Sequence, residues 1–382
     1  MAAFSLDEYR SRVQRLRETM AENGMDALLV LSEANICYLT GYEGYSDYVP
    51  QAVLVTQRDD PLLILREMDV PCATATCWLP NDRITFYAEE YIGSAERNPW
   101  QAIAGTIGPI VKLDRLGVEL TANQLGPKSY RILLNALGVQ ELLDGDGYVN
   151  ACKRLKSANE IAYIEQAGRI ADHAFITGFE TIQSGVSQAD VAAAIMRALV
   201  AGSDGVRGGP PLPPTMPVGH IANAPHLKWT DACYGEGQQT NFELAAFRHR
   251  YACALSRTVF LGNASERLRY IHDAVRTGFE AAFQTMRPGM TCGEIDASFR
   301  RAFNPFGVRK ASRIGYSIGL DWADGGATLQ ANDPMVLQED MVFHLIIGVW
   351  EPDEGYVLSE TLRIGKSGAI SMSRVPRSLF TK

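Results

Sequence analysis

Residues 241–262 read NFELAAFRHRYACALSRTVFLG, with apolar and polar side chains alternating through two runs, Phe242 to Phe247 and Tyr251 to Leu261. A period of two belongs to a strand with unlike faces. The polar cluster Arg248, His249 and Arg250 between the runs suits a turn, so the stretch predicts two paired antiparallel strands. MVFHLIIGVW at 341–350 and GYVLSETLRIG at 355–365 repeat the pattern. Together they predict four strands, with one acid at Glu243 and another at Glu360. Glutamates on strands are commonly solvated, but Glu243 shares its face with Ala245 and Phe247, and Glu360 occupies the corresponding strand of the second pair. Two carboxylates converging on one sheet are costly unless compensated, which points to a cationic ligand.

Outward from this block the chain is an α/β (α+β) protein of two domains. At 382 residues it exceeds one ordinary core. Hydrophobic residues make up 46% and charged residues 21%, a globular balance. A formal net charge of −8 disfavours nucleic acid and anionic membranes as partners. No apolar run approaches the roughly 18 residues of a membrane span, and the N-terminus opens as an amphipathic helix rather than a signal peptide. The seven cysteines show no metal-site spacing. Reduced thiols and a cytoplasmic location are expected.

In the first domain Leu6, Tyr9, Val13, Leu16 and Met20 recur at helical spacing up to Gly24. DALLVLS reads as a buried strand, and the loop Gly41 to Pro50, carrying Tyr42, Tyr45 and Tyr48, is expected to lie between two strands and present binding groups. PLLILRE, RITFYAE and RLGVEL are further strands. The capping box SANE at 157–160 starts a long helix, and the domain boundary falls near residue 152, giving 1–152 and 153–382. Helices are expected over about 159–183, 188–201 and 266–286. The Gly/Pro-rich segment 202–229 reads either as a linker or, from its place between helices and strands, as a loop lining a site.

The order of APHLKW (224–229), the two-strand block ending SRTVFLG, RIGYSIGL (313–320), MVFH and SETLRIG resembles the C-terminal half of the creatinase, prolidase and methionine aminopeptidase superfamily. That resemblance implies a pita-bread catalytic domain behind a creatinase-like N-terminal domain. Metal-dependent members hold two ions with two Asp, one His and two Glu. The positions taken to match carry Glu243, Ala254, Tyr316, Ile346 and Glu360, which implies a member that has lost its metal and needs no cofactor. Within the superfamily YLTGYEGYSDYVPQAVLV, EYIGSAERNP and VPRSLFTK, together with the C-terminal motifs, resemble the ectoine hydrolases. Asp47, Pro50, Arg248 and His249 depart from that pattern, as does a segment after Leu320 that looks shorter.

The resemblance implies a homodimer that hydrolyses a small cyclic amidine, with His226 as proton shuttle and Glu243 and Glu360 as the acids. Taken alone, His226 is equally a packing residue in a loop. Either acid grips the substrate's positive charge, or one of them attacks. Tyr42, Tyr45, Tyr48, Tyr251, Arg257, Tyr316 and His344 are candidate substrate contacts, although an arginine on a strand more often makes a structural ion pair. His173 and His272 lie on helices and read as structural, while His220 and His249 stay open. The alternatives are another amidine or guanidine hydrolase of creatinase type and a catalytically dead binding member.

Overall fold

The computed structural model describes residues 3–46, 48–352 and 354–382. It forms two compact units, one ending at Cys152 and one running from Lys153 to Lys382. The sequence departure at Asp47 lies outside the described residues.

In the first unit, strands β1 (Ala27–Val30), β2 (Ala52–Thr56), β3 (Leu62–Arg66), β4 (Ile84–Tyr87), β5 (Leu116–Val118) and β6 (Leu143–Asp144) form one sheet in the order β4-β3-β2-β1-β5-β6. Helix α1 (Leu6–Glu22) buries Tyr9, Val13, Leu16 and Met20, and Ser5 caps its start by accepting from the Glu8 amide. The strand expected before Gly41 is instead helix α2 (Glu33–Thr40). Residues 35–40 are all buried, so the run shows no helical stripe, and periodicity cannot separate a buried helix from a buried strand. Its end is marked by Gly41, whose left-handed φ of +76° closes the helix onto the Cys37 carbonyl. Helices α3 (Val70–Thr76), α4 (Pro99–Ile107), α5 (Pro127–Leu137) and α6 (Tyr148–Lys153) complete this part of the chain.

The second unit starts with α7 (Ala158–Thr181), capped by the Ser157/Glu160 box, and α8 (Gln188–Ala201). The hairpin follows as β7 (Gln239–Arg248) and β8 (Tyr251–Phe260). Its turn is two residues, not three: Arg248 pairs with Tyr251, and His249 and Arg250 take φ of +46° and +67°. Neither is a glycine, so the turn needs outside support. The His249 ring lies 4.5 Å from that of Tyr163, and Arg250 Nε donates to Asp321 at 2.8 Å.

Helices α9 (Glu266–Thr285) and α10 (Cys292–Phe303) lead to β9 (Gly315–Gly319), β10 (Trp322–Leu329), β11 (Val342–Trp350) and β12 (Gly355–Ile364), with short strands β13 (Ala369–Ser371) and β14 (Phe380–Thr381). The main path is β10-β9-β11-β12-β8-β14, with β7 on β8 and β13 on β12. Thus β9 and β10 join the four strands expected from the sequence. The two hairpins meet at β8 and β12 through only two register pairs, Ser256 with Ser359 and Leu255 with Glu360. Threonine hydroxyls continue the seam on both sides: Ala254 N–H donates to Thr361 Oγ1 at 2.8 Å, and Val357 N–H to Thr258 Oγ1 at 3.0 Å.

Helices pack on one face of this sheet. Phe175 of α7 meets Phe242 edge-on at 6.2 Å, and Phe279 and Phe299 share a core with Phe343, Leu345, Ile347 and Leu358. Side chains alternate along a strand and opposed residues point the same way, so these contacts assign every other strand residue to a face.

Candidate active site

Ser256 stands opposite Glu243 on one side and Ser359 on the other, and Ser359 stands opposite Ile346. Ala254 is two residues from Ser256, and His344 is two from Ile346 and opposite Tyr316. Glu243, Ala254, Ser256, Ser359, Ile346, His344 and Tyr316 therefore share the face away from the helices. Glu360 does not. It has the parity of Tyr356, Leu358 and Leu362, all in the helix-side core.

The expected convergence of Glu243 and Glu360 is thus corrected, and Ser359 occupies the place on the open face that Glu360 was expected to take. Glu360 is 2% exposed and already has its cations: Arg257 Nη2 at 2.7 Å on Oε1, with Arg377 Nη2 and Ser371 Oγ each at 2.8 Å on Oε2. Arg257, fully buried, spends its remaining donors on the carbonyls of Ser256, Ser359, Val375 and Pro376. Glu360 and Arg257 are therefore a structural pair rather than substrate contacts. Glu360→Gln should leave KM within about twofold, while the uncompensated buried guanidinium lowers stability by about 3–5 kcal/mol in urea unfolding.

Glu243 is the opposite case. Among the described residues no hydrogen bond or ion pair reaches its carboxylate, and burial pushes its pKa up to about 7. Across the face runs a continuous hydrogen-bond chain. Trp322 Nε1 donates to Tyr316 Oη at 2.7 Å, Tyr316 Oη lies 3.2 Å from His344 Nδ1, His344 Nε2 lies 2.7 Å from Ser359 Oγ, and Ser359 Oγ donates to Ser256 Oγ at 2.8 Å. Burial drives the His344 pKa down to about 3, so the ring is neutral. The Tyr316 phenol is pushed upward, chiefly by burial, while the Trp322 N–H opposes the shift; Glu243 raises it further and Arg313 lowers it. The Arg313 guanidinium stacks 4.5 Å over the Tyr316 ring and makes one long contact, 3.4 Å, to Thr328 Oγ1. Trp322 has φ of +110°, a region costing an L residue about 1–3 kcal/mol. Nearby, the buried Lys156–Asp324 ion pair at 2.7 Å fixes the β9–β10 turn, with Asp324 Oδ2 accepting from the Leu320 amide at 3.0 Å.

The Gly/Pro segment runs along the free edge of β7 and then turns over this face at Ala222 and Asn223. Thr215 and Val218 bridge to Glu243 and Thr240 of β7. Asn241, two residues from Glu243 and on its face, donates to the Ala222 carbonyl at 2.6 Å, and Asn223 donates to the Glu351 carbonyl beyond β11 at 3.0 Å. His226 follows immediately. Its neighbour Leu227 accepts from the Met216 amide at 3.0 Å, while the His226 ring is exposed and no hydrogen bond holds it among the described residues.

The other expected contacts divide. Tyr251 is on the helix face, with its hydroxyl donating to Glu160 at 2.6 Å, and is not part of the open face. In the first unit Tyr42 is buried, whereas Tyr45 and Tyr48 are 79% and 65% exposed. Tyr48 accepts from Arg66 at 3.2 Å. His272 is structural, bonded to Tyr356 at 2.6 Å. Ser256 was singled out from the sequence only as the position where the resemblance places a glutamate in creatinase, and Ser359, Trp322 and Arg313 were not singled out. Strand parity alone would have found Ser359, since in GYVLSETLRI the apolar set Tyr356, Leu358 and Leu362 takes Glu360 with it.

The fold implies a pair of divalent ions, and the residues do not fit them. Of the open-face positions Glu243, Ala254, Tyr316, Ile346 and Ser359, one is a carboxylate, two are aliphatic, and the phenol and the serine hydroxyl are committed to the chain above. Among the described residues no cluster of three or more His, Cys, Asp or Glu is placed to hold a metal. Divalent ions of this kind need several carboxylate or imidazole donors.

Such a sheet, with helices on one face and a polar row on the other, defines a pita-bread domain of hydrolase type preceded by a creatinase-type unit. Residues 162–366 match the metallopeptidase family M24 and residues 12–154 the creatinase/prolidase N-terminal domain, and the chain belongs to the M24 family. It is 35% identical over 98% of its length to an uncharacterised hydrolase/peptidase of Sinorhizobium fredii, covering 97% of that protein. It is 33% identical to the ectoine hydrolase of Halomonas elongata, covering 99% of this chain and 98% of that one. The prolidase structure from Pyrococcus horikoshii superposes with a TM-score of 0.82 over 97% of this chain and all of that chain, at 22% identity, a likeness of fold. The protein is an enzyme, a hydrolase acting on a small molecule. None of its helices, among the described residues, is long and apolar enough to cross a membrane.

Proposed function

We propose that this hydrolase opens the ring of a cyclic amidine, ectoine or hydroxyectoine, to an N-acetylated diaminobutyrate without a metal ion. The carrying observation is Glu243, an unpartnered, largely buried carboxylate on a face whose remaining metal positions hold non-ligands. A lone buried carboxylate is costly when ionised, and a cationic substrate relieves that cost as it binds. An amidinium brings the positive charge that metals supply in the peptidases, and its N–H groups suit charge-assisted hydrogen bonds to Glu243. Ectoine also carries a carboxylate. Arg313, stacked over the Tyr316 ring and without an acidic partner among the described residues, suits that end. Whole-length likeness to an ectoine hydrolase supports the same reading.

In this scheme the amidine carbon is attacked either by Glu243 or by water held at Glu243. The resulting tetrahedral centre collapses as the bond to the departing nitrogen breaks and that nitrogen takes a proton from His226. On the carboxylate route a water molecule then cleaves the acyl linkage to Glu243, returning a proton to His226 and regenerating the carboxylate as the amide product leaves. An imidazole nitrogen can both give and regain that proton. Tyr45 and Tyr48, as exposed aromatics, remain candidate contacts in the homodimer that the likeness to ectoine hydrolases implies. The purified protein is tested with ectoine, hydroxyectoine and creatine by proton NMR. Ring-opened product from an ectoine and none from creatine is expected; turnover of creatine alone would replace this reading with the creatinase one.

A further inference from the structure

We infer that Ser256 is a positioning residue for Glu243, made an obligate hydrogen-bond donor by the chain that begins at Trp322. This rests on the ring-opening reading above. An indole N–H only donates, so at the Trp322–Tyr316 contact the phenol oxygen accepts, and its own hydrogen is directed elsewhere. Neutral His344 has one N–H to place. Ser359 already gives its hydrogen to Ser256, so the 2.7 Å contact with His344 is satisfied only when Nε2–H is the donor. Nδ1 is then the acceptor, and among the described residues the Tyr316 hydroxyl is the donor within hydrogen-bond distance of it. Every link points the same way, from the indole to Ser256.

The Ser256 hydroxyl therefore accepts within the chain and keeps its own hydrogen for the open face, where no partner takes it among the described residues. Ser256 is fully buried, so that hydrogen has little access to bulk water. Directly across the β7–β8 ladder is Glu243, an acceptor with no donor of its own. An amidinium offers only N–H donors, which leaves the carboxylate as the acceptor Ser256 serves when substrate is bound. A serine donating to one carboxylate oxygen fixes the other toward the amidine carbon. No bond forms or breaks in this role; the chain sets direction and holds Glu243.

The test is a double-mutant cycle with ectoine as substrate. Ser256→Ala should lower kcat by about 10–100-fold with KM changed less than threefold, and Ser256→Thr should recover most of the loss. Trp322→Phe, which frees the chain to reverse, should lower kcat by a smaller factor. In the Ser256→Ala background Trp322→Phe should cost nothing more, because its effect is transmitted through Ser256. Thermal melts identify any variant that fails to fold, and the Ser256→Thr comparison, made on the folded protein, still decides the matter in that case. Losses that multiply, or an unimpaired Ser256→Ala, overturn the inference alone. A wild-type enzyme that leaves ectoine intact overturns the functional reading and this inference with it.

Discussion

Glu243→Gln should lower kcat for ectoine by at least about 10³-fold. The substitution keeps the shape and removes both the charge that meets the amidinium and the one carboxylate that, among the described residues, stands in the row from Glu243 to Tyr316. Loss of turnover with binding intact identifies attack by the carboxylate; slow turnover at raised KM identifies Glu243 as a grip, with water as nucleophile. The same change reports on stability with a defined sign. Burial lifts the Glu243 pKa from 4.5 to about 7, so between those values the native state holds a proton that the unfolded chain has released. Stability therefore falls as pH rises through this window and stays lower above it. Glu243→Gln removes that loss and should make the protein more stable than wild type at pH 8, by at most about 3 kcal/mol, with little difference at pH 4. Urea unfolding at the two pH values checks this, and an equal effect at both would mean that Glu243 is not held neutral by burial.

His226→Ala should lower kcat by about 10²–10⁴-fold while ectoine still binds. Its loop is tied to both ends of the face, through Asn241 on β7 and the Glu351 carbonyl after β11, yet among the described residues no hydrogen bond holds the ring itself. That is the state expected of a group that must reach a substrate and return. Calorimetric binding of ectoine to the variant should match wild type within about threefold. A kcat within twofold of wild type would return His226 to the structural role that its sequence context equally allows.

Much of this site was legible in the sequence. The alternation in NFELAAFRHRYACALSRTVFLG set both strands of the hairpin and placed Glu243 with Ala245 and Phe247, on the face where the structure has it. The Gly/Pro segment was read as lining a site, and it is bonded across the open face. Glu360 was misplaced because its identity as a carboxylate outweighed its parity. One residue along a strand is the difference between the two faces, and the run Tyr356, Leu358, Leu362 already assigned Glu360 to the helices. Arg257 was a candidate contact, and the structure gives it the ion-pair role that strand arginines more often have. The chain from Trp322 to Ser256 could not be read, since its members come from four strands and an indole at a strained turn, joined only by register. Helix α2 was missed for a simpler reason: a segment buried on nearly every side has no stripe to show.

The most direct measurement is the rate of ectoine opening before and after exhaustive dialysis against a strong chelator, with metal content determined on the same samples. Metal-free chemistry at Glu243 predicts the same kcat at less than about 0.1 metal ion per chain. A large loss of activity, restored by adding Mn²⁺, Fe²⁺ or Zn²⁺, would contradict it.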